Sequence, residues 1–594
     1  MKYLFDYLSP SDAVYSGKVA ETVDFVTERQ LKDRTLWKKF ANQFKIRPDG
    51  DNEGWRGEYW GKMMRGGCLI YRYSADSELY DALTFGVEEL LKAQDEYGRI
   101  STYTIETEFT CWDLWCRKYV LTGLEHFYAI CKEEGLKARV ISAMTSSADY
   151  ICERIGDGKT DIRKTSNCWG GVNSCSILEP FLELYKLTGI RRYLSFSEYI
   201  VKSGGCIDGN LLSCAEKDGC LPYTYPEVKA YETMSFFEGV LAYYEVTGER
   251  YYLDLVKKFV EDTFATERSV IGGIGGKKEL FDNFYNNQTE EQPTIVQETC
   301  VTVTWIRLLT RLFFNTGDKK YIDRIEKSFV NAMWGSLNLK WNRSYSSIVK
   351  RIVSPLPFDS YSPILNDKRG REVAGFQLFP DGTNYGCCAC IGSAGVALAP
   401  LLAVLKDKDG LILNYYFDGE IKTETPSGKN VNVSVRGNYF TDDVIKIKVR
   451  ADTQERFTLK IRKPVWSDGA CLNGVDYTEK DGYFIVDKLW DNDGFTLEIP
   501  KMIMREELNG KTAFTYGPVV LALDEEKGNK DLYGGIVLSC DSGKMQTAMD
   551  GEIIRYTIKR ENGDELVFTD YASCGKDWEF KNGKICVWIK VSDK

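Results

Sequence analysis

From about residue 15 to about residue 405, apolar side chains return every three or four positions, the period of amphipathic and buried helices. A punctuation recurs inside this stretch. Leu184 to Leu194 (LYKLTGIRRYL), Tyr243 to Leu253 (YYEVTGERYYL) and Phe313 to Ile322 (FFNTGDKKYI) each set Thr-Gly between an aromatic-rich helix end and the next helix. Gly189, Gly248 and Gly317 suit a helix C-terminus that needs positive φ. Their spacing of roughly 60–70 residues leaves room for two helices and their loops per unit, so the pattern predicts stacked helical hairpins. Such hairpins form an open solenoid or a closed (α/α) toroid, and the uneven loop lengths favour the toroid. The run Ile391 to Leu405, too short to span a bilayer and interrupted by Pro400, predicts a buried helix and no membrane anchor.

After residue 405 the period becomes two. Leu411 to Tyr416, Val431 to Val435, Val444 to Val449, Phe457 to Ile461 and Phe495 to Ile499 read as strands broken by Gly, Asp and Asn turns, a β-sandwich of about 100 residues. A second β-rich piece opens with Ala513 to Leu521. The expectation is a multidomain α+β chain: an (α/α)6 barrel over 1–405, a β-sandwich over 406–510 and a second sandwich over 511–594.

Composition narrows the chemistry. A net charge of -10 in 594 residues argues against a nucleic-acid partner, which needs a basic face. The N-terminus lacks the apolar core of a signal peptide, since Asp6, Ser9 and Asp12 interrupt it, so a cytoplasmic location is expected. The 18 cysteines then belong to a reducing compartment, most of them as small buried hydrophobes. His126 is the only histidine, which sharply restricts the chemistry, largely excludes Ser-His-Asp and Cys-His triads and histidine-rich zinc sites, and leaves acid–base work to Asp, Glu, Cys, Tyr or Lys.

Two cysteine clusters stand out: Glu298-Thr299-Cys300, and Cys387-Cys388-Ala389-Cys390 after Asn384-Tyr385-Gly386. Adjacent cysteines make a strained disulfide, whereas three thiolates and one carboxylate make a tetrahedral Zn2+ site without histidine. Spacing alone leaves these residues as shared ligands or as unrelated buried cysteines. Thr299 is a candidate N-cap, with Glu298 and Cys300 straddling the start of a helix. Tryptophans in polar or glycine-rich surroundings, Trp60, Trp112 and Trp169, are candidate sugar platforms or core residues, and Asp113, Glu227 and Tyr231 are polar candidates beside them.

Gly272-Gly273-Ile274-Gly275 with Glu279, then Glu298-Thr299-Cys300, then Cys387-Cys388, together resemble the signature of glycoside hydrolase family 127, the β-L-arabinofuranosidases. The likeness extends to the sandwich and to Gly517-Pro518-Val519. It implies a retaining exo-glycosidase acting on an oligosaccharide or glycoside, with Cys387 as nucleophile and Glu279 as general acid/base. Glu298, Cys300, Cys387 and Cys388 are by the same resemblance the zinc ligands. Asp282, Glu290 and Glu291 are rival acids. The chain departs from the family pattern after the cysteine pair, where Ala389-Cys390-Ile391 replaces prolines and an asparagine, and in its lack of pocket histidines. Near their expected places stand Asp113, Arg117 and Lys118, and later Glu227, Tyr231 and Glu232, so an altered sugar is expected, with Arg117 or Lys118 a candidate for reading a carboxylated one. The alternatives are an (α/α)-barrel uronyl hydrolase or lyase, and a non-catalytic carbohydrate-binding scaffold with structural zinc. A homodimer is the assembly left open.

Overall fold

The computed structural model describes residues 3–50, 54–290, 296–346, 351–368, 375–527, 529, 536–537, 543–549, 551–559, 564–576 and 584–592. Rival acid Glu291 lies outside them.

Six helices make an inner ring: α1 (Gly57–Ser74), α2 (Asp113–Ile130), α3 (Leu178–Thr188), α4 (Ala230–Thr247), α5 (Thr299–Thr316) and α6 (Cys387–Ala403). Each packs on the next, and α6 packs back on α1. Outer helices such as Ser77–Leu91, Glu134–Arg154, Arg191–Ser203 and Arg250–Glu267 carry the chain back between them. This alternation makes the inner helices run the same way, as an (α/α)6 barrel requires. The expected stops are where the chain turns: Gly189, Gly248 and Gly317 have φ of 69°, 76° and 72° and cap α3, α4 and α5. Close packing of α1 depends on glycine twice. A Cβ on Gly61 would fall 1.8 Å from the Tyr119 carbonyl oxygen of α2, and one on Gly66 would fall 2.0 Å from Ser393 Oγ of α6. Helix α6 is buried along its whole length, which fits a sequence apolar except for Ser393. No helix among the described residues is long and apolar enough to cross a membrane.

The barrel rests on β structure. A ten-stranded sheet is built around the long antiparallel pair Val444–Arg462 and Tyr483–Glu498, in which Ile445, Ile447 and Val449 point inward while Lys446, Lys448 and Arg450 face out. Its main path begins at Asp6–Tyr7, paired with Val404–Lys406, and ends at Ala13–Tyr15, paired with Gly419–Glu424. The first residues of the chain thus occupy both edges. A second sheet runs from Ile503–Leu508 through Lys511–Tyr516 and Val519–Asp524 to Glu565–Asp570 and Arg555–Lys559. Arg462, fully buried, docks the first sheet on the barrel by bonding Asp323 (2.6 Å) and Glu326 (2.5 Å) of helix Lys319–Lys327.

Candidate active site

The N-terminal ends of α5 and α6 meet at one mouth of the barrel. Cys387 and Cys388 are the first two residues of α6, and Cys300 is the second of α5. Glu298, not Thr299, is the N-cap of α5, still extended and bridged to Tyr361, while Thr299 begins the helix and its N–H donates to Ser360 O (2.9 Å). The side chains of Glu298, Cys300, Cys387 and Cys388 converge with their donor atoms all within 4.8 Å of one another. Cys300 Sγ lies 3.6 Å from Cys387 Sγ and 3.3 Å from Cys388 Sγ, and Glu298 Oε1 lies 3.5 Å from Cys388 Sγ. Thiolates and a carboxylate gathered at helix N-termini gain from the positive ends of the helix dipoles. Glu298 Oε2 is buried without a partner. Three thiols and a carboxyl with an unsatisfied oxygen, gathered where burial disfavours their charged forms, fit a metal ion that would pair with them.

Two lysines neutralise the centre. Lys62, on α1, lies 2.9 Å from Glu58 and 3.8 Å from Cys300 Sγ, with Tyr231 and Tyr119 rings around its ammonium at 4.6 and 5.1 Å. Burial alone would lower it, but Cys300 and Glu58 outweigh that and hold it well above the usual lysine range. Burial in turn pushes the Glu58 carboxyl up to about 7, against the pull of Lys62. Hydrogen bonds with the Cys300 and Cys388 thiols, helped by the Lys62 and Lys229 charges, hold the Cys387 thiol well below the usual range despite burial. Burial keeps Cys300 and Cys388 well above it.

Glu279 is held beside this centre. Its carboxylate accepts a hydrogen bond from Tyr361 Oη (2.6 Å) and pairs with Lys229. Its backbone, at φ of 67°, is strapped to the segment before α4 through Ala230 N (3.2 Å to Glu279 O) and the Lys229–Leu280 bridge. The glycine loop below is clamped by Gln297, whose amide donates to Gly275 O and accepts from Ser269 Oγ, so closely that a Cβ on Gly273 would lie 2.1 Å from Gln297 Oε1. Of the rival acids, Asp282 is occupied by Lys277 N (3.0 Å) and Glu290 pairs with Lys277 (3.7 Å).

The remaining candidates divide. Trp169 is 37% exposed and its ring lies 5.5 Å from the Lys229 ammonium, next to Glu279. Glu227 borders Gly170 of the same turn, and burial, with Asp208 and Glu232 adding to it, raises its carboxyl to about 7. Trp112 stands edge-on to Trp55 and Trp115, each at 5.9 Å. The other candidates, Trp60, Asp113, Tyr231, Arg117 and Lys118, are buried. Trp60 is 0% exposed, packed edge-on against Trp37, with Nε1 donating to Gly86 O (3.1 Å): it belongs to the core between helices. Asp113 is also 0% exposed, and its oxygens are taken by Ser101, Phe109 N and Arg117. Tyr231 bonds Tyr119 and supports Lys62 from below. Arg117 is locked by Asp113 (2.9 Å) and Glu108 (2.6 Å), and Lys118 is buried against Trp115 (4.6 Å), so neither is placed to read a sugar carboxylate.

The sequence reading missed Glu58, Lys62, Lys229, Tyr361 and Gly375. Gly375 lies on Cys387: its carbonyl accepts from Trp55 Nε1 (2.8 Å) and from Tyr59 Oη, and a Cβ there would sit 2.0 Å from the Cys387 sulfur.

The description of the GH127 β-L-arabinofuranosidase catalytic domain matches residues 20–345, and that of the GH127 middle domain matches residues 410–501. With the barrel and its mouth, this makes the protein a glycoside hydrolase. The chain belongs to glycoside hydrolase family 127, the β-L-arabinofuranosidase family. Its fold is similar to that of a GH127 β-L-arabinofuranosidase from Geobacillus stearothermophilus T6 (TM-score 0.72, 18% identity, covering 98% of this chain and 100% of that one). It is similar also to a second GH127 β-arabinofuranosidase (TM-score 0.73, 16% identity, covering 99% and 98%). No curated protein matches the sequence.

Proposed function

We propose that the protein is a retaining exo-glycosidase that releases β-L-arabinofuranose or a closely related sugar, with Cys387 as nucleophile and Glu279 as general acid/base. Glu298, Cys300, Cys387 and Cys388 would hold zinc, which when bound keeps the thiols ionised at neutral pH. The observation that carries the reading is the division of labour at the mouth: Cys387 is the one cysteine of the tetrad with any exposure, 5% against 0% for Cys300 and Cys388, while Glu279 is tied to the same centre through Tyr361.

In the first step the Cys387 sulfur forms a bond to the anomeric carbon as the C–O bond breaks, and Glu279 gives its proton to the departing oxygen. In the second, Glu279 takes a proton from water, whose oxygen attacks the same carbon and releases the sulfur. Two inversions leave the configuration retained. Lys229 and Tyr361 orient the Glu279 carboxyl throughout, and Trp169 offers an aromatic face to the sugar. With Arg117 and Lys118 turned inward, selection of a carboxylated sugar loses its support; the altered shell consists of Lys229, Glu227 and the tryptophans.

The test is metal content together with hydrolysis of p-nitrophenyl β-L-arabinofuranoside by the native chain and Cys387→Ser. Stoichiometric zinc and loss of activity in the variant are expected. Zinc with no activity on a broad glycoside panel would favour a structural metal, a reading that the near-complete burial of the tetrad also suits. Absence of zinc would overturn the ligand assignment.

A further inference from the structure

Beyond the glycosidase centre, two loops at the barrel mouth carry a second thiol pair. Cys111 Sγ and Cys168 Sγ are 3.5 Å apart although 57 positions separate them in the chain. Each is followed by a tryptophan of the mouth, Trp112 and Trp169. Cys111 ends the loop before α2 with φ of 47°, while Trp169, Gly170 and Gly171 form a turn with φ of 50°, 53° and 82°. The loops are already joined by Asn173 Nδ2, which donates to Cys111 O (2.8 Å). Cys168 is partly exposed and Cys111 is buried.

We propose that Cys111 and Cys168 are a redox-modification site, an oxidisable pair whose disulfide ties together the two tryptophan loops of the mouth. A disulfide needs its sulfurs about 2 Å apart, so they must approach by about 1.5 Å, a movement that side-chain rotation and the adjoining Gly170-Gly171 turn supply. The order of events follows from exposure. Cys168 is reached first, and its contact with Cys111 holds its thiol low, at about 7, where an attacking thiolate is most effective. With a low-molecular-weight disulfide as oxidant, the Cys168 sulfur attacks one of its sulfurs and expels the first thiol. Cys111 then attacks Cys168 Sγ and expels the second thiol. The two protons lost by the cysteines appear on the two released thiols, and the external disulfide is reduced as the protein pair is oxidised.

The metal-loaded full chain is treated with oxidised glutathione, quenched with an alkylating agent and mapped by peptide mass spectrometry. A linked pair of Cys111 and Cys168 peptides is expected, reversed by dithiothreitol and absent from Cys111→Ser and Cys168→Ser, both of which keep the untreated activity. Oxidation should change KM by at least about twofold in the native chain and not in the variants, because it fixes the spacing of the loops that carry Trp112 and Trp169. A stable glutathione adduct on Cys168 with Cys111 still free, or no reaction at either, would overturn the pair. A linked pair with unchanged KM would overturn the tie between the loops. The cross-link is read by mass without substrate, so its outcome is separate from that of the proposed glycosidase reaction.

Discussion

Replacing Gly375 with alanine asks whether the position of the Cys387 sulfur matters. The new Cβ would lie 2.0 Å from Cys387 Sγ and 2.7 Å from its Cβ, where ordinary contact begins at 3.4 Å. The sulfur must therefore retreat by about 1.4 Å, because its own helix, buried along its whole length, does not yield. A displacement near 1 Å at a reacting atom costs about 100-fold in rate, or about 2.7 kcal/mol of transition-state stabilisation. Gly375 also has φ of 55°, so alanine there carries a backbone cost of about 1 kcal/mol. Gly382 provides the control: its φ is 78° and nothing lies within 4 Å of its Cβ position, so Gly382→Ala meets the backbone cost without the clash. The assay is kcat/KM for p-nitrophenyl glycoside hydrolysis, with metal content and thermal unfolding measured on the same samples. Gly375→Ala should lose about 100-fold in kcat/KM while Gly382→Ala stays close to the native chain, both remaining folded. Activity of Gly375→Ala within a factor of a few of native would refute the reasoning, since the sulfur would then tolerate displacement that a positioned nucleophile cannot.

Other substitutions separate positioning from packing. Tyr361→Phe removes the hydrogen bond to Glu279 Oε1 and should lower kcat/KM by about 10-fold or more without unfolding the chain; steady-state kinetics beside a melting curve decide it. Trp60→Ala should destabilise by about 3–5 kcal/mol in denaturant unfolding, and Trp60→Phe should leave KM unchanged, as expected of a core residue. Lys118 is buried with no hydrogen-bond partner for its ammonium, and burial, opposed by Glu179 and Glu238, lowers it to about 7. The unfolded chain therefore binds more protons between about pH 7 and the ordinary lysine value of 10.5, so this group adds stability as pH rises through that window and costs most below it. Lys118→Met should raise the melting temperature at pH 6, with the gain shrinking by pH 9.5; a pH-independent gain would show that the lysine does not titrate in that window.

The helical period, the Thr-Gly stops and the strand alternation were legible because each depends on neighbours along the chain. The pairing of Glu298-Thr299-Cys300 with Cys387-Cys388 was legible only through the family resemblance, because spacing alone fits unrelated buried cysteines as well. The lysines were not. Glu58, Lys62 and Arg65 lie three or four residues apart on α1, a spacing that in an isolated helix marks the solvent face. In a ring of helices the same stripe faces the lumen, and all three side chains are buried. That inversion also explains Trp60, which turns away from the stripe into the packing between helices. Tyr361 and Gly375 act through loops whose contacts lie 82 positions away at Glu279 and 316 at Tyr59, so no local pattern could announce them.

The placement of Asp6–Tyr7 and Ala13–Tyr15 at opposite ends of one sheet path has a mechanical consequence. Val444–Arg462 is flanked along its length by Tyr483–Glu498, so Asn430–Arg436, paired at 446–451, and Gly410–Leu413, paired at 458–461, lie end to end along its other side, and the strand runs they begin finish at Ala13–Tyr15 and Asp6–Tyr7. The start of the chain is thus one clasp on the outer edges of both runs. Cutting that clasp would uncover two rows of unpaired backbone amides at once, on Val404–Lys406 and on Gly419–Glu424, and convert a sealed surface into one that sticks to copies of itself.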